Sequence, residues 1–241
     1  MTTSPAASPD MTTRPAKSGP AMRADDLHLT FAATAALRGA SLTIEVGEAV
    51  ALMGPSGSGK STLLHCLAGI LTPDRGDVHF AGRRLAGMSE RERSELRLRS
   101  MGFVFQNSEL IPELTLLENV ALPLQLLGTR HRDARTLAVE ALAQVGLQDE
   151  GERRTGAVSG GQQQRAAVAR ALVHTPGMVF ADEPTGALDT VTGERVLQLL
   201  LAACSERAAS LLLVTHDHRV AAHADRLLVI RDGVIGAGET A

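Results

Sequence analysis

The stretch Gly54–Thr62, GPSGSGKST, stands between a short apolar run, AVALM, and a longer one, LLHCLAGIL. That order reads as a strand, a glycine-rich loop and a helix. The string fits G-x-x-x-x-G-K-[ST] in the context the pattern requires. Gly54, Gly57 and Gly59 let backbone N–H groups converge on phosphate oxygens, and the helix N-terminus adds the positive end of its dipole. Pro55, Ser56, Ser58 and Thr62 complete the loop. Lys60 supplies a point charge for outer phosphates, and Ser61 offers a hydroxyl ligand for Mg²⁺.

Other short apolar runs, LHLTF, ASLTIEV, MGFVF, MVFAD, LLLVT and LLVI, alternate with helical segments. This alternation predicts an α/β fold with a mainly parallel sheet covered on both faces. The 241 residues, 44% of them hydrophobic, suffice for one good core and are too few for two large domains. The Thr-, Ser-, Pro- and Ala-rich beginning, to about Pro20, cannot repay the entropy of ordering, so a disordered tail over 1–22 and one domain over 23–241 are expected. Between Thr129 and Gly146, Leu137, Ala141, Leu142 and Val145 recur at helical spacing and predict a helical insertion, approximately 108–165. SERERSELRLRS reads as a solvated helix, and RDGVI as a closing hairpin on an Asp-Gly turn.

A net charge of −3 gives no basic excess for binding nucleic acid. Cys66 and Cys204 lie in apolar helical stretches and read as buried thiols, not a disulfide framework. No apolar run approaches the roughly 20 residues that cross a bilayer, and the beginning lacks the apolar core of a signal peptide. The expectation is a soluble protein on the cytoplasmic side, touching membrane only through a partner.

The run MVFAD ends in Asp182 and Glu183. Asp182 suits the surroundings of Mg²⁺, and Glu183 can polarise an attacking water. Gln106, following MGFVF, is an amide at a strand end able to reach metal or water. Between them, Ser159-Gly160-Gly161-Gln162 opens a helix and makes a second anion site from a serine hydroxyl and backbone N–H groups. One chain would then own two phosphate sites for one nucleotide. A head-to-tail homodimer, in which the Ser159 turn of one copy closes on the ATP held by Lys60 of the other, is the economical solution.

GPSGSGKST, Gln106, VSGGQQQR, MVFADEP, ALD and His216 together resemble the Walker A, Q-loop, signature, Walker B, D-loop and switch histidine of ATP-binding cassette ATPases, from about Leu27 to Gly236. The resemblance implies a P-loop NTPase core with an N-terminal antiparallel β subdomain and a helical insertion carrying the signature. It implies ATP and Mg²⁺ as cofactors, with the metal near Ser61, Gln106 and Asp182. It implies Glu183 as catalytic base, His216 as γ-phosphate sensor, Asp189 as a contact across the dimer, and Phe31 as the aromatic that stacks on adenine. ALRGASLTIEVGE, GFVFQ, LTLLENVALPL, PTGALD and VTHDHRVAAHADRLLVIRDG look most like the macrolide-export and lipoprotein-release type, MacB and LolD. That type implies an FtsX-like membrane permease as partner, driven for export or as a mechanical lever, gripped near Gln106 and around Leu110–Asn119. Val158 stands where the signature usually has Leu. Thr155 stands where Pro is common and is expected to loosen the loop before the signature helix.

His216, His218 and His223 invite a zinc reading, but no Cys or carboxylate set completes it. Asp225 and Arg226 read as a surface pair of little weight. A DNA-repair cassette would carry a zinc module or coiled coil between Lys60 and Ser159, a translation-factor cassette two tandem copies, and a pseudo-ATPase would lack Glu183 or His216. The nearest competitor is a cell-division regulator that also pairs with an FtsX-like protein.

Overall fold

The computed structural model describes residues 19–32 and 34–237. In chain order these form β1 (Met22–Phe31), β2 (Thr34–Ile44), β3 (Ala49–Met53), α1 (Lys60–Leu67), β4 (Arg75–Phe80), β5 (Arg83–Arg84), α2 (Glu90–Ser100) and β6 (Met101–Phe105). They continue with α3 (Leu116–Leu126), α4 (His131–Gln144), a 3-10 turn at Thr155–Ala157, α5 (Gly160–Leu172), β7 (Met178–Asp182), α6 (Thr190–Glu206), β8 (Ser210–Val214), α7 (His218–Ala221), β9 (Arg226–Arg231) and β10 (Val234–Ala237). One sheet has the order β10-β9-β3-β8-β7-β6 and is parallel except for the β9–β10 hairpin. The other, β2-β1-β4-β5, is antiparallel. The expected α/β core with an antiparallel β subdomain is the architecture found.

The parallel strands are apolar throughout because both faces are covered. In β8, Leu212 and Val214 face a core shared with α1 and the antiparallel sheet, through Leu63, Leu67, Met22 and Ile44. The alternate residues Leu211 and Leu213 face α5 and α6, against Leu172, Val196 and Leu200. A third core holds α3, α4 and the start of α5 together, with Leu116, Val120, Leu142 and Ala166. Capping boxes begin α2 at Ser89/Glu92, α3 at Thr115/Glu118 and α5 at Ser159/Gln162, each cap worth about 1 kcal/mol.

Several expectations need correction. Ala21 and Met22 are buried, so the boundary drawn at 22/23 falls inside the packed chain; residues 1–18 of that tail lie outside the described residues. Residue 165, the expected end of the helical insertion, falls inside α5. Leu137 is 42% exposed, since the buried face of α4 is Ala134, Ala138, Ala141 and Leu142, and Leu137 lies on its flank. Asp225 and Arg226 do not pair with each other. Asp225 accepts from the Ala49 N–H, and Arg226 forks onto Glu48 at 2.7 and 3.1 Å, so together they pin the start of β3 to β9. Thr155 is buried and its carbonyl accepts from Gln163 Nε2 at 3.0 Å, which holds the loop that was expected to be loose.

Candidate active site

The C-terminal ends of β3, β6, β7 and β8 meet at one edge of the parallel sheet, where ligands of open α/β folds sit. There a cleft of about 460 Å³ is lined by Ser56, Gly57, Gly59–Thr62, Gln106, Asp182 and Glu183. That size is ordinary for a small-molecule site. Ala36 of β2 and Asn107 and Glu109 beyond β6 also border it, positions that carry no motif of their own.

The loop after β3 works because its backbone touches its neighbours directly. A Cβ at Gly54 would lie 2.2 Å from the Ile230 carbonyl oxygen, and one at Gly59 would lie 2.5 Å from that of Ala36. No side chain fits at either place. Gly59, at φ 103°, is the N-cap of α1, and no side chain caps the helix. The first-turn N–H groups are therefore left for an anion. Lys60 folds back over the loop, with Nζ donating to the carbonyls of Gly54 and Pro55 at 2.8 and 2.9 Å.

Across the cleft, Ser61 Oγ donates to Asp182 Oδ2 at 3.2 Å. Burial, with the neighbouring Glu183 charge, holds the Asp182 carboxyl above the usual carboxylate range, against the pull of the Ser61 hydroxyl and the His65 and Lys60 charges. A half-buried carboxylate and a hydroxyl in contact form a hard-oxygen set that fits Mg²⁺. Glu183 has a left-handed backbone, φ 48°, held by its N–H to Val214 O at 2.9 Å. This turn carries its carboxylate to the end of β8, with Oε1 2.7 Å from His216 Nδ1 and Oε2 3.4 Å from Thr215 Oγ1. The Gln106 amide packs over Gly186.

Ser159, Gly160, Gly161, Gln162 and Asp189 do not line this cleft. Ser159 Oγ accepts from Gln162 N, while Gln162 Oε1 accepts from Ser159 N. Asp189 caps α6 through Thr192 N, and Thr192 lies against Gly161, where a Cβ would meet its Cγ2 at 2.4 Å. The turn before α5 and the start of α6 therefore share one surface. Phe31, at the end of β1, is 49% exposed and is not among the residues lining the cleft.

On the far side of the Phe105–Glu109 segment lies a mostly apolar groove of about 470 Å³, lined by Ile70, Met101, Phe103, Pro123, Arg170 and His174 among others. It runs along β6, the edge strand. The stretch Leu110–Asn119 is beside it: Leu110, Leu116, Leu117 and Asn119 are buried, Ile111, Pro112, Glu113 and Glu118 are exposed, and Asn119 holds the Ile111 N–H and the Ile111 and Thr115 carbonyls.

The profile of the ABC transporter family matches residues 37–186. The lipoprotein-releasing system ATP-binding protein LolD of Xanthomonas campestris pv. campestris (strain 8004) is 46% identical over 216 residues, covering 88% of this chain and 90% of that protein. LolD of Legionella pneumophila (strain Lens) is 44% identical over 203 residues, covering 84% and 89%. Among solved structures, the ATP-binding cassette MJ0796, as a dimer in a post-hydrolysis state bound to ADP and Pi, superposes with a TM-score of 0.82 at 36% identity, covering 90% of this chain and 98% of that one.

Proposed function

Because the chain belongs to the ABC transporter family and is an ATP-hydrolysing subunit of it, we propose that two copies close head to tail around two ATP molecules, the Ser159 turn of each on the Lys60 loop of the other. The separation of the Ser159 turn from its own chain's cleft carries this reading. The likeness to a dimeric cassette holding ADP and Pi supports it.

Within each site, Lys60 and the uncapped start of α1 bind the outer phosphates, and Phe31 stacks on the adenine. Mg²⁺, held by Ser61 and Gln106 with Asp182 beside them, would neutralise charge on the phosphate oxygens as the terminal phosphoryl group transfers. Glu183 takes a proton from the attacking water onto its carboxylate. His216 orients that carboxylate and contacts the γ-phosphate. Ser159, Gly160, Gly161, Gln162 and Asp189 of the opposite copy close the site and exclude water other than the nucleophile. Loss of the bridging phosphate after hydrolysis reopens the interface.

The partner on which this motion acts is an FtsX-like permease, with the ATPase on the cytoplasmic face of the membrane. The apolar groove beside the edge strand suits a cytoplasmic segment of that partner, because Phe105 and Glu109 border both groove and cleft. No helix among the described residues is long and apolar enough to cross a membrane. The relatives named for lipoprotein release support export or mechanical transmission as the work done. Retrieval of Glu183→Gln from native membranes with ATP and Mg²⁺ tests the assignment. Co-purification of an FtsX-like permease is expected, and recovery of soluble companions alone overturns it.

A further inference from the structure

The wall between cleft and groove, Phe105–Glu109, makes two backbone hydrogen bonds of its own, from Ser108 N–H to the Phe105 carbonyl at 3.2 Å and from Glu109 N–H to the Asn107 carbonyl at 2.7 Å, and is otherwise held from outside itself. Ser108 and Glu109 both have left-handed backbones, φ 60° and 48°, though neither is glycine. Two consecutive residues in that region persist only where the surroundings hold them. The holding groups come from α5. Gln164, 2% exposed, donates from Nε2 to the Phe105 carbonyl at 2.8 Å. Arg170 donates from Nη2 to the Ser108 carbonyl at 2.8 Å and from Nη1 to the Glu109 carbonyl at 2.5 Å. Gln106 lies between these anchor points.

Burial pushes the Arg170 guanidinium below its ordinary value, with the Glu109 charge opposing. Among the described residues its hydrogen-bond partners are these two carbonyls, and no carboxylate lies within ion-pair distance. A cation kept in such a place is kept for the geometry of its donor fork, which a lysine does not reproduce.

We propose that Gln164 and Arg170 are positioning residues for ATP hydrolysis: by gripping backbone carbonyls on both sides of Gln106, helix α5 sets where the Gln106 amide stands in the cleft. This rests on the proposed reading of Gln106 as a residue that would hold Mg²⁺ at the reacting phosphate. The helix that begins at the Ser159 turn thereby carries any displacement of that turn to Gln106 of the same chain. A partner segment in the groove, which half-buried Arg170 lines, acts on the same grip.

The test is a double-mutant cycle on steady-state ATPase rates of the full chain, with Arg170→Lys, Gln164→Met and Gln106→Ala, each checked for an unchanged unfolding midpoint. Arg170→Lys is expected to lower kcat about tenfold while leaving KM for ATP within about twofold, as for a group that acts in the chemical step and not in nucleotide binding. Gln164→Met is expected to act the same way from the other side. In the Gln106→Ala background both are expected to cost nothing further, because residues that act through one group are not additive. Equal losses with and without Gln106, or an unchanged kcat in Arg170→Lys and Gln164→Met while Gln106→Ala is impaired, overturns the grip alone. An unchanged kcat in Gln106→Ala removes the role of Gln106, and the grip with it.

Discussion

Two glycine-rich helix starts in this chain differ in one respect. α1 begins at Gly59 with no side-chain cap and faces the cleft, whereas α5 begins at Ser159 with a closed capping box and lies outside it. An uncapped start leaves first-turn N–H groups open to an anion; a capped one has part of them satisfied within the chain. The cap still leaves a donor at α5, because Ser159 Oγ accepts from Gln162 N with a lone pair and keeps its own proton. On the proposed reading the first start is a phosphate site within one chain, and the second completes one only against another copy.

Removing the charge at the first start is expected to have the largest effect. Lys60→Ala should lower ATP hydrolysis by about 10²–10³-fold and weaken nucleotide binding, as when a preorganised group at developing charge is removed; steady-state kinetics and nucleotide titration check both. The second start separates its two duties. Ser159→Asp keeps a good cap but points a carboxylate at incoming phosphate, so the unfolding midpoint should hold while hydrolysis falls by about 10²-fold. Ser159→Ala should lose about 1 kcal/mol of stability with the cap, seen in urea denaturation, and less of the activity.

Away from both starts, Glu48→Gln should cost about 1 kcal/mol of stability without changing KM for ATP, because it breaks the Arg226 fork that pins β3 to β9. Burial opposes ionisation of Glu48, yet the Arg226 hydrogen bond, the Glu45 N–H and the Arg226 charge together hold its carboxyl below the ordinary value. Since the folded value is depressed, this stabilisation is present above the unfolded carboxylate value and is lost as pH falls through the folded one, a loss that denaturation at stepped acidic pH detects and Glu48→Gln abolishes. The smallest effect is expected at the thiols. Burial pushes Cys66 and Cys204 up to about 12, so neither should react with a thiol probe at pH 8 until the chain unfolds.

Much of this was legible in the sequence because it is local. Each core strand is its own apolar run, and the loop after β3 combines its chemistry and its element order in one string. What was illegible depends on residues far apart in the chain. Arg226 looked like a partner for its neighbour because Glu48 is remote in sequence, and Leu137 looked buried because periodicity marks a stripe without saying where its edge falls. The left-handed pair Ser108–Glu109 carries no glycine to announce it, and the donors that hold it sit on α5. The roles of the cleft residues came from the motifs, while Ala36, Asn107 and Glu109 became visible only once β2 and β6 were placed beside the loop.

The claim that the two helix starts share one nucleotide across two copies is tested most directly by the solution mass of Glu183→Gln with and without ATP and Mg²⁺. Light scattering should show a 25.3 kDa chain without nucleotide and twice that mass with it, and Ser159→Asp in the same background should return the monomer. A monomer at saturating ATP, or a dimer indifferent to both nucleotide and Ser159, would contradict the account.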